Sequence, residues 1–182
     1  LAIVGTRMPT AAGVEACRRT VECRANDCHD DIDIVSGLAY GIDKTAHEAA
    51  IDSGVPTVAV MAGGLDNIYP AMHRDLARRI IASGGALATE YCSGEKPLKP
   101  RFLKRNSIIA GLSDGTLVVE SGYRGGALAT ANFAFRMNRQ VMAFPGRVTD
   151  EQSAGCNKLI HRLVAALVRD GADIEELLGW TP

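Results

Sequence analysis

The sequence has 182 residues, of which 47% are hydrophobic and 23% are charged, and its formal net charge is −1. These values are typical of a soluble globular domain. They exclude a global basic field for nucleic acid, and no apolar run approaches the ~20 residues that a membrane span needs. The chain begins in an apolar segment without an initiator Met or a signal peptide. We therefore expect one domain from a longer cytoplasmic protein, with no membrane association.

Short apolar runs alternate with amphipathic stretches along the chain. Strands are predicted at 2–4, 32–35, 57–61, 86–89, 116–119 and 140–144, and a further short strand or turn follows residue 170. Helices are predicted at 9–24, 38–53, 69–83, 102–112, 126–137, 156–170 and 174–178, with irregular segments at 26–31 and 92–100. This alternation predicts a doubly wound, mostly parallel α/β sheet with helices on both faces and right-handed crossovers.

Three glycine-rich turns follow predicted strands. They are Gly5-Thr6-Arg7, Ser36-Gly37 and Gly122-Tyr123-Arg124-Gly125-Gly126. In open α/β sheets ligands bind outside the carboxyl ends of the strands, and amides at a helix start attract anions. The spacing is not the G-x-G-x-x-G pattern of dinucleotide sites. We therefore predict one shared pocket for phosphates and no nicotinamide cofactor.

Several basic residues also occupy positions where they could bind phosphate. Arg7 lies just beyond a strand and a glycine, where a guanidinium can bind a phosphate with two hydrogen bonds. The alternative is a structural ion pair with Glu90 or Glu120. Between residues 96 and 105 the chain has five basic residues and no acidic one: Lys96, Lys99, Arg101, Lys104 and Arg105. This segment is either a phosphate-binding loop or simply a solvated one.

The predicted fourth helix adds an aromatic ring and a second arginine. Helical spacing places Arg105 on the side that faces the sheet, and Asn106 follows it. Cations beside Phe102 suit single-stranded nucleic acid, whose phosphates need positive charge and whose bases stack on rings. The alternative is that Phe102 is a core residue. Because only 5% of residues are aromatic, a broad stacking platform of the RNA-recognition type is not expected.

Two further patterns are interpreted as structural. Asp43 and His47 share a helix face four residues apart, as a catalytic pair would, but no nucleophile or metal ligands accompany them. Cys23, Cys28 and His29 invite a zinc interpretation. No second ligand pair with finger-like spacing follows, so we predict no metal site. The five cysteines are expected to be free thiols.

Several segments, taken in order, resemble the DNA-processing protein A family, also called DprA or Smf. They are Ile3-Val4-Gly5-Thr6-Arg7, Ser36-Gly37-Leu38-Ala39-Tyr40-Gly41-Ile42-Asp43 with Ala46-His47, Gly64-Leu65-Asp66 with Tyr69-Pro70, Phe102 with Arg105-Asn106, Ile108-Ile109-Ala110-Gly111-Leu112-Ser113, Val118-Val119-Glu120, Gly126-Ala127-Leu128-Ala129-Thr130-Ala131, Pro145-Gly146 and Gly155-Cys156-Asn157-Lys158-Leu159-Ile160. No single segment is specific, but the ordered set covers nearly the whole chain and is very specific.

The resemblance implies an extended Rossmann-like domain that binds single-stranded DNA, forms homodimers and is not an enzyme. Family members protect incoming DNA in natural transformation and help to load the RecA recombinase. By this likeness Arg7 and the basic loop with Lys99 hold phosphates, and Phe102 and Arg105 contact base and backbone. Gly125 and Gly126 offer amides at the start of helix five. The predicted DNA-binding residues are Gly5, Thr6, Arg7, Ser36, Gly37, Lys96, Lys99, Phe102, Arg105, Asn106, Arg124, Gly125 and Gly126.

The chain departs from the family pattern at three places. Ser107 follows Arg105-Asn106 where the family has a second arginine. Gly125-Gly126 replaces the usual Ser-Gly, with Arg124 before it as a possible compensation. His161-Arg162 replaces a Gly-Ala pair in a region that often contributes to dimerisation, which weakens the dimer expectation there. The family's N-terminal helical and C-terminal winged-helix-like modules are not in this sequence.

Two other functions stay open at this point. One is a nucleotide phosphoribohydrolase of the lysine-decarboxylase-like group, whose Pro-Gly-Gly-x-Gly-Thr turn the segment 122–126 loosely resembles. The proline and the trailing catalytic glutamate of that group are absent, which argues against hydrolysis. The other is a small-nucleotide sensor that uses the same pocket.

Overall fold

The computed structural model describes residues 1–26 and 33–180. Within them seven strands form one sheet: β1 (Ala2–Val4), β2 (Ile34–Ser36), β3 (Thr57–Val60), β4 (Ala86–Ala88), β5 (Gly115–Val118), β6 (Gln140–Ala143) and β7 (Ala166–Leu167). Every neighbouring pair of these strands is parallel. The predicted α/β class is therefore confirmed.

Seven α-helices connect or follow the described strands: α1 (Ala11–Asn26), α2 (Ile42–Asp52), α3 (Arg74–Ala82), α4 (Lys99–Gly111), α5 (Gly126–Arg136), α6 (Ala154–His161) and α7 (Gly171–Leu178). Short 3-10 turns occur at Ala71–His73 and Glu151–Ser153. Most of the polar turn predicted at 26–31, and two residues of the zinc interpretation, Cys28 and His29, lie outside the described residues.

The strand order places β1 at the centre of the sheet. It reads β4-β3-β2-β1-β5-β6-β7, so the chain builds outward on one side of β1 and then returns to build on the other. The direction of winding reverses between β1 and β5. In a parallel sheet this reversal opens a crevice at the carboxyl ends of the two strands.

Helices cover both faces of the sheet, as predicted. Successive residues of a strand point to opposite faces, and β1 shows this directly: Ala2 and Val4 pack in one apolar cluster and Ile3 in another. Helices α4, α5 and α6 contribute to the first cluster, and α1, α2 and α7 to the second. Helix α3 packs beside α2 over β3, where Leu76 and Ile80 are buried with Ala59.

The second helix begins four residues later than predicted. Leu38 and Gly41 have positive φ angles of 59° and 74°, so the segment between β2 and Ile42 is a loop. A left-handed residue cannot continue a right-handed helix, and Gly41 takes this conformation without a Cβ penalty. The loop carries Ala39 to the crevice between β1 and β5, where it lines the cavity.

The prediction of one long helix at 156–170 is wrong, because the helix in this region is shorter. Helix α6 ends at His161, and Leu163 adopts a positive φ of 56° that turns the chain back toward the sheet. The following residues pair with β6 as β7, and Val168 becomes fully buried. The apolar run resembles a helix face locally, but pairing with β6 makes part of it an edge strand, since tertiary contacts outweigh local propensity. Helix α4 also begins earlier than predicted, at Lys99.

Candidate nucleic-acid interface

A cavity of about 500 Å³ occupies the crevice at the carboxyl ends of β1 and β5. Its walls are the turn after β1, the turn after β5, and the first turns of α4 and α5. Nine predicted DNA-binding residues line it: Gly5, Thr6, Arg7, Phe102, Arg105, Asn106, Arg124, Gly125 and Gly126. The structure thus brings the segment at residues 5–7 together with two segments, 102–106 and 124–126, that follow it much later in the chain.

Arg7 is exposed in this cavity and forms no ion pair with the residues that the structure describes. Both carboxylates proposed as its structural partners are engaged elsewhere. Glu90 pairs with Lys104 at 3.0 Å, and Glu120 accepts hydrogen bonds from the backbone N–H and hydroxyl of Thr10 at 2.9 and 2.5 Å. The contacts therefore favour a guanidinium that is available to a phosphate.

The turn that carries Arg7 is fixed by close packing at Gly5. A Cβ at this position would lie 2.5 Å from Cγ1 of Ile42 and 3.0 Å from the carbonyl oxygen of Glu120. The neighbouring Thr6 donates its N–H to the Glu120 carbonyl at 2.7 Å and accepts from the Ile42 N–H at 3.1 Å. Only glycine fits here, and the turn is held between β5 and α2.

Gly125 and Gly126 have room for a side chain. Gly125 precedes α5 in an extended conformation, and a Cβ on it would meet nothing nearer than 3.7 Å; the same distance holds for Gly126. No side chain caps this helix start. Amides at a helix N-terminus lack intrahelical partners and favour an anion. Missing side chains let a ligand approach them closely.

Arg105 is buried beneath the cavity, at 5% exposure. Its Nη1 donates to the carbonyl oxygens of Gly37 and, at 2.7 Å, Val60, and its Nε donates to Oδ1 of Asn106 at 3.1 Å. The amide of Asn106 in turn donates to the carbonyl of Gly126 at 3.2 Å. This chain of contacts connects β3, α4 and α5, so Arg105 has a structural function whether or not it also meets DNA.

Asp43 is the only carboxylate among the described residues that line the cavity. It is buried and accepts a hydrogen bond from the N–H of Ala39 at 3.3 Å. Burial raises the pKa of this carboxyl, and the positive charge of Arg105 opposes the rise. With Arg7, Arg105 and Arg124 also lining the cavity, positive charge dominates it.

His47 does not face the cavity and does not bond to Asp43. Its Nδ1 lies 2.8 Å from Oγ1 of Thr57, which donates to the carbonyl of Ile34. Burial, with smaller contributions from the charges of Arg105 and His73, lowers the pKa of His47 to about 3. The geometry favours the structural interpretation of the Asp43 and His47 pattern over a catalytic one.

Phe102 lies on the first turn of α4 at the edge of the cavity rather than in an apolar core cluster. It is half-buried, its ring centroid lies 5.3 Å from that of Tyr69, and the Arg105 guanidinium lies 5.8 Å from its centroid. The alternative of an ordinary core phenylalanine is not favoured by this position.

Four predicted residues lie outside the cavity lining. Ser36 is fully buried and donates its hydroxyl to the carbonyl of Ile3 at 2.6 Å, which joins β2 to β1. Gly37 borders a smaller adjoining hollow, where a Cβ would overlap Arg105. Lys96 is exposed before α4, and Lys99 is the exposed first residue of α4. A phosphate contact by these lysines stays a prediction.

Two polar residues that were not predicted from the sequence also line the cavity. Ser121 lies in the turn after β5, and Thr130 follows Gly126 by one helical turn, donating to its carbonyl at 3.3 Å. The i, i+4 spacing from a predicted glycine could have indicated Thr130. In the described part of the chain no cluster of three metal-ligating side chains occurs, and no helix is long and apolar enough to cross a membrane.

The all-parallel sheet, the cavity at its switch point and the arginine- and amide-rich lining define a Rossmann-like domain with a cleft suited to a polyanion. Residues 1–179 match the family described as DNA recombination-mediator protein A, and the chain belongs to this family. The resemblance noted from the sequence motifs is thereby confirmed.

Relatives from distant bacteria share the domain. A putative DNA processing protein DprA of Mycobacterium tuberculosis is 47% identical over 178 residues, which cover 98% of this chain and 44% of the relative. DprA of Streptococcus pneumoniae is 40% identical over 174 residues, covering 96% of this chain and 60% of the relative. The chain thus spans about half the length of these relatives.

Solved structures agree with this assignment. The structure of DprA from Streptococcus pneumoniae superposes with a TM-score of 0.86 at 39% identity, covering 96% of this chain and 60% of that one. A Helicobacter pylori structure, described as showing the single-stranded DNA binding mode of its DNA processing protein A, gives 0.87 at 27% identity, with coverages of 98% and 79%. Molybdenum cofactor carrier proteins share the fold alone, with a TM-score of 0.65 at 14% identity for one from Chlamydomonas reinhardtii.

Proposed function

We propose that this domain binds single-stranded DNA in the cavity between β1 and β5. The main support is that two exposed arginines, Arg7 and Arg124, line the same cavity as the uncapped amides at the start of α5. Phosphodiesters carry one negative charge per nucleotide and accept hydrogen bonds from guanidinium and backbone N–H groups. The Helicobacter relative described as binding single-stranded DNA has the same fold.

We propose further that the protein acts as a recombination mediator rather than an enzyme. It would protect incoming single strands in the cytoplasm, assemble as a homodimer and help a RecA-type recombinase to load. The description of the family as recombination mediators supports this role. Light scattering of the purified protein tests the dimer, and the lag of recombinase filament growth on coated DNA tests the loading. A monomer, or an unchanged lag, would refute the respective part.

Fluorescence anisotropy with a labelled oligothymidylate tests the DNA-binding proposal. Wild-type protein should bind the single strand in a salt-sensitive way, and a duplex of equal length should compete poorly. For single strands log K falls by about 0.7 per neutralised phosphate for each unit of log salt. Arg7→Ala and Arg124→Ala should each flatten that slope by about 0.7, provided that each arginine neutralises one phosphate.

Arg136→Ala is the matched control. Arg136 is an exposed arginine at the far end of the same helix whose start faces the cavity. Removing it changes the net charge equally, so its slope should equal that of wild type. Equal slopes for the Arg7, Arg124 and Arg136 variants would refute the proposed site. No binding of oligothymidylate at low salt would refute the proposed function.

The same preparations separate this proposal from the two alternatives. A phosphoribohydrolase would release a free base from a nucleoside monophosphate, and a nucleotide sensor would bind a mononucleotide as tightly as an oligomer. The contacts do not favour hydrolysis, because Asp43 is buried and Glu120 accepts hydrogen bonds from Thr10. We expect no base release, and affinity that rises with oligonucleotide length.

A further inference from the structure

Three aromatic side chains border the cavity and a small hollow that adjoins it. They are Phe102, Tyr69 and Tyr40, out of nine aromatic residues in the whole chain. Tyr69 is 52% exposed and Tyr40 is 39% exposed. A single exposed ring is ordinary, but exposed apolar residues grouped around one hollow mark a binding surface, and these two tyrosines line one hollow together with Phe102. Their position beside the arginines suggests the nature of the ligand.

The rings are held in place by contacts within the protein. Tyr69 packs against Phe102 in an edge-to-face arrangement, with 5.3 Å between centroids and 65° between planes. Tyr40 packs similarly on His73, at 5.0 Å and 71°, and Nδ1 of the buried His73 lies 2.8 Å from the carbonyl of Leu38. Rings that are fixed before binding lose little conformational freedom when a ligand stacks on them.

The hollow is continuous with the phosphate cavity. Arg7, Ala39, Phe102 and Arg105 line both. The hollow has a volume of only about 20 Å³, which is far too small to enclose a nucleobase. A base beside it must therefore lie on the exposed ring surfaces at the rim. A phosphate at Arg7 would thus be next to aromatic surface that could receive the adjoining bases.

We propose that Tyr69 and Tyr40 extend the binding site as an aromatic track, on which the bases next to the phosphate at Arg7 stack. This inference rests on the proposed single-stranded DNA binding. A cationic groove followed by rings matches the alternation of charge and base along a single strand. The bases of a duplex are stacked on one another and cannot present their faces to the rings. The track therefore gives the domain a preference for single strands over duplexes.

Two ligands separate stacking from every other effect. One is an oligothymidylate, and the other is an oligomer of equal length whose sugar-phosphate backbone carries no bases. Each stacked base contributes about 1–3 kcal/mol, which corresponds to about 5- to 150-fold in affinity. For partly exposed rings we expect the lower end. Tyr69→Ala and Tyr40→Ala should each weaken oligothymidylate binding about fivefold or more and leave the affinity for the oligomer without bases unchanged. Each should also lower the ratio of single-strand affinity to duplex affinity.

Controls keep the outcome interpretable. Tyr91→Ala removes a ring that lines neither cavity and is covered by Arg101 at 4.5 Å, so its affinities should be those of wild type. Tyr69→Leu keeps apolar bulk without a ring and should behave like Tyr69→Ala, whereas Tyr69→Phe should bind like wild type. Equal losses on both ligands, or no loss on oligothymidylate while wild type binds normally, would overturn the track alone. Failure of wild type to bind would overturn the underlying function as well.

Discussion

Replacing Arg105 with alanine would show how far this residue supports the fold rather than the DNA. The guanidinium is 5% exposed, and its Nη1 donates to the carbonyls of Gly37 and Val60. Alanine cannot supply either hydrogen bond. It also removes the charge that opposes the raised pKa of the buried Asp43 carboxyl. We therefore expect Arg105→Ala to lower stability.

The magnitude follows from the two carbonyls. Losing a buried hydrogen bond to a charged group costs about 1–3 kcal/mol, so losing two costs about 2–6 kcal/mol. The lower end applies if water from the adjoining cavity enters the space. For a domain of this size each kcal/mol shifts the Tm by about 2–4 °C. The expected fall in Tm is therefore at least about 4 °C.

Thermal unfolding followed by circular dichroism measures this effect. Arg7→Ala is the matched control, because Arg7 is exposed and forms no ion pair with any described residue. Its Tm should match that of wild type within about 2 °C, as surface substitutions rarely change stability by more than ~0.5 kcal/mol. Arg105→Lys keeps one charged donor and should fall between wild type and Arg105→Ala. An unchanged Tm for Arg105→Ala, together with lost DNA binding, would refute the structural function assigned to Arg105.

Three further results are expected. Burial lowers the pKa of His47 to about 3, so the stability contributed by its neutral form is complete above pH 6.5 and is lost as the pH falls toward 3. Denaturant unfolding should show about 2 kcal/mol less stability at pH 4.5 than at pH 6.5 because of this group. His47→Asn should remove that pH dependence of stability, whereas the substitution of exposed His161 by Asn should not. Gly126→Ala should fold normally, because the added Cβ has room. It should bind oligothymidylate more weakly than wild type, because the methyl group covers the amides at the start of α5. Normal binding would exclude close approach of a phosphate to these amides. Phe102→Ala should cost about 1–3 kcal/mol of oligothymidylate affinity; a lower Tm with full affinity would instead mark Phe102 as a packing residue.

Local signals in the sequence located most of the candidate site. Gly5, Arg7 and Gly126 follow predicted strands or begin a predicted helix, and the carboxyl ends of parallel strands share one edge of the sheet. That rule needs only the strand and helix pattern, so it works without coordinates. Ser36 lies outside the cavity lining, because a residue at a strand end can point into the sheet as well as toward a ligand.

The aromatic residues show a different limit. Tyr69 and Tyr40 occur in segments that resemble the family, but nothing in their spacing indicates that they border the same hollow as Phe102. They belong to separate loops, and only the folded chain places them around the hollow that Phe102 also lines. Such proximity depends on long-range packing, which a linear pattern does not encode.

The α/β class and the parallel strands were predictable without coordinates, because hydrophobic periodicity and turn glycines are local properties. The ordered motifs indicated the family in the same way. Three features became clear only from the coordinates: residues 166–167 form an edge strand, Arg105 donates to the carbonyls of Gly37 after β2 and Val60 in β3, and Arg7 forms no ion pair with the described residues. Each of these depends on which neighbours the folded chain supplies. Burial, hydrogen-bond partners and charge pairing arise between segments far apart in sequence, so packing alone fixes them.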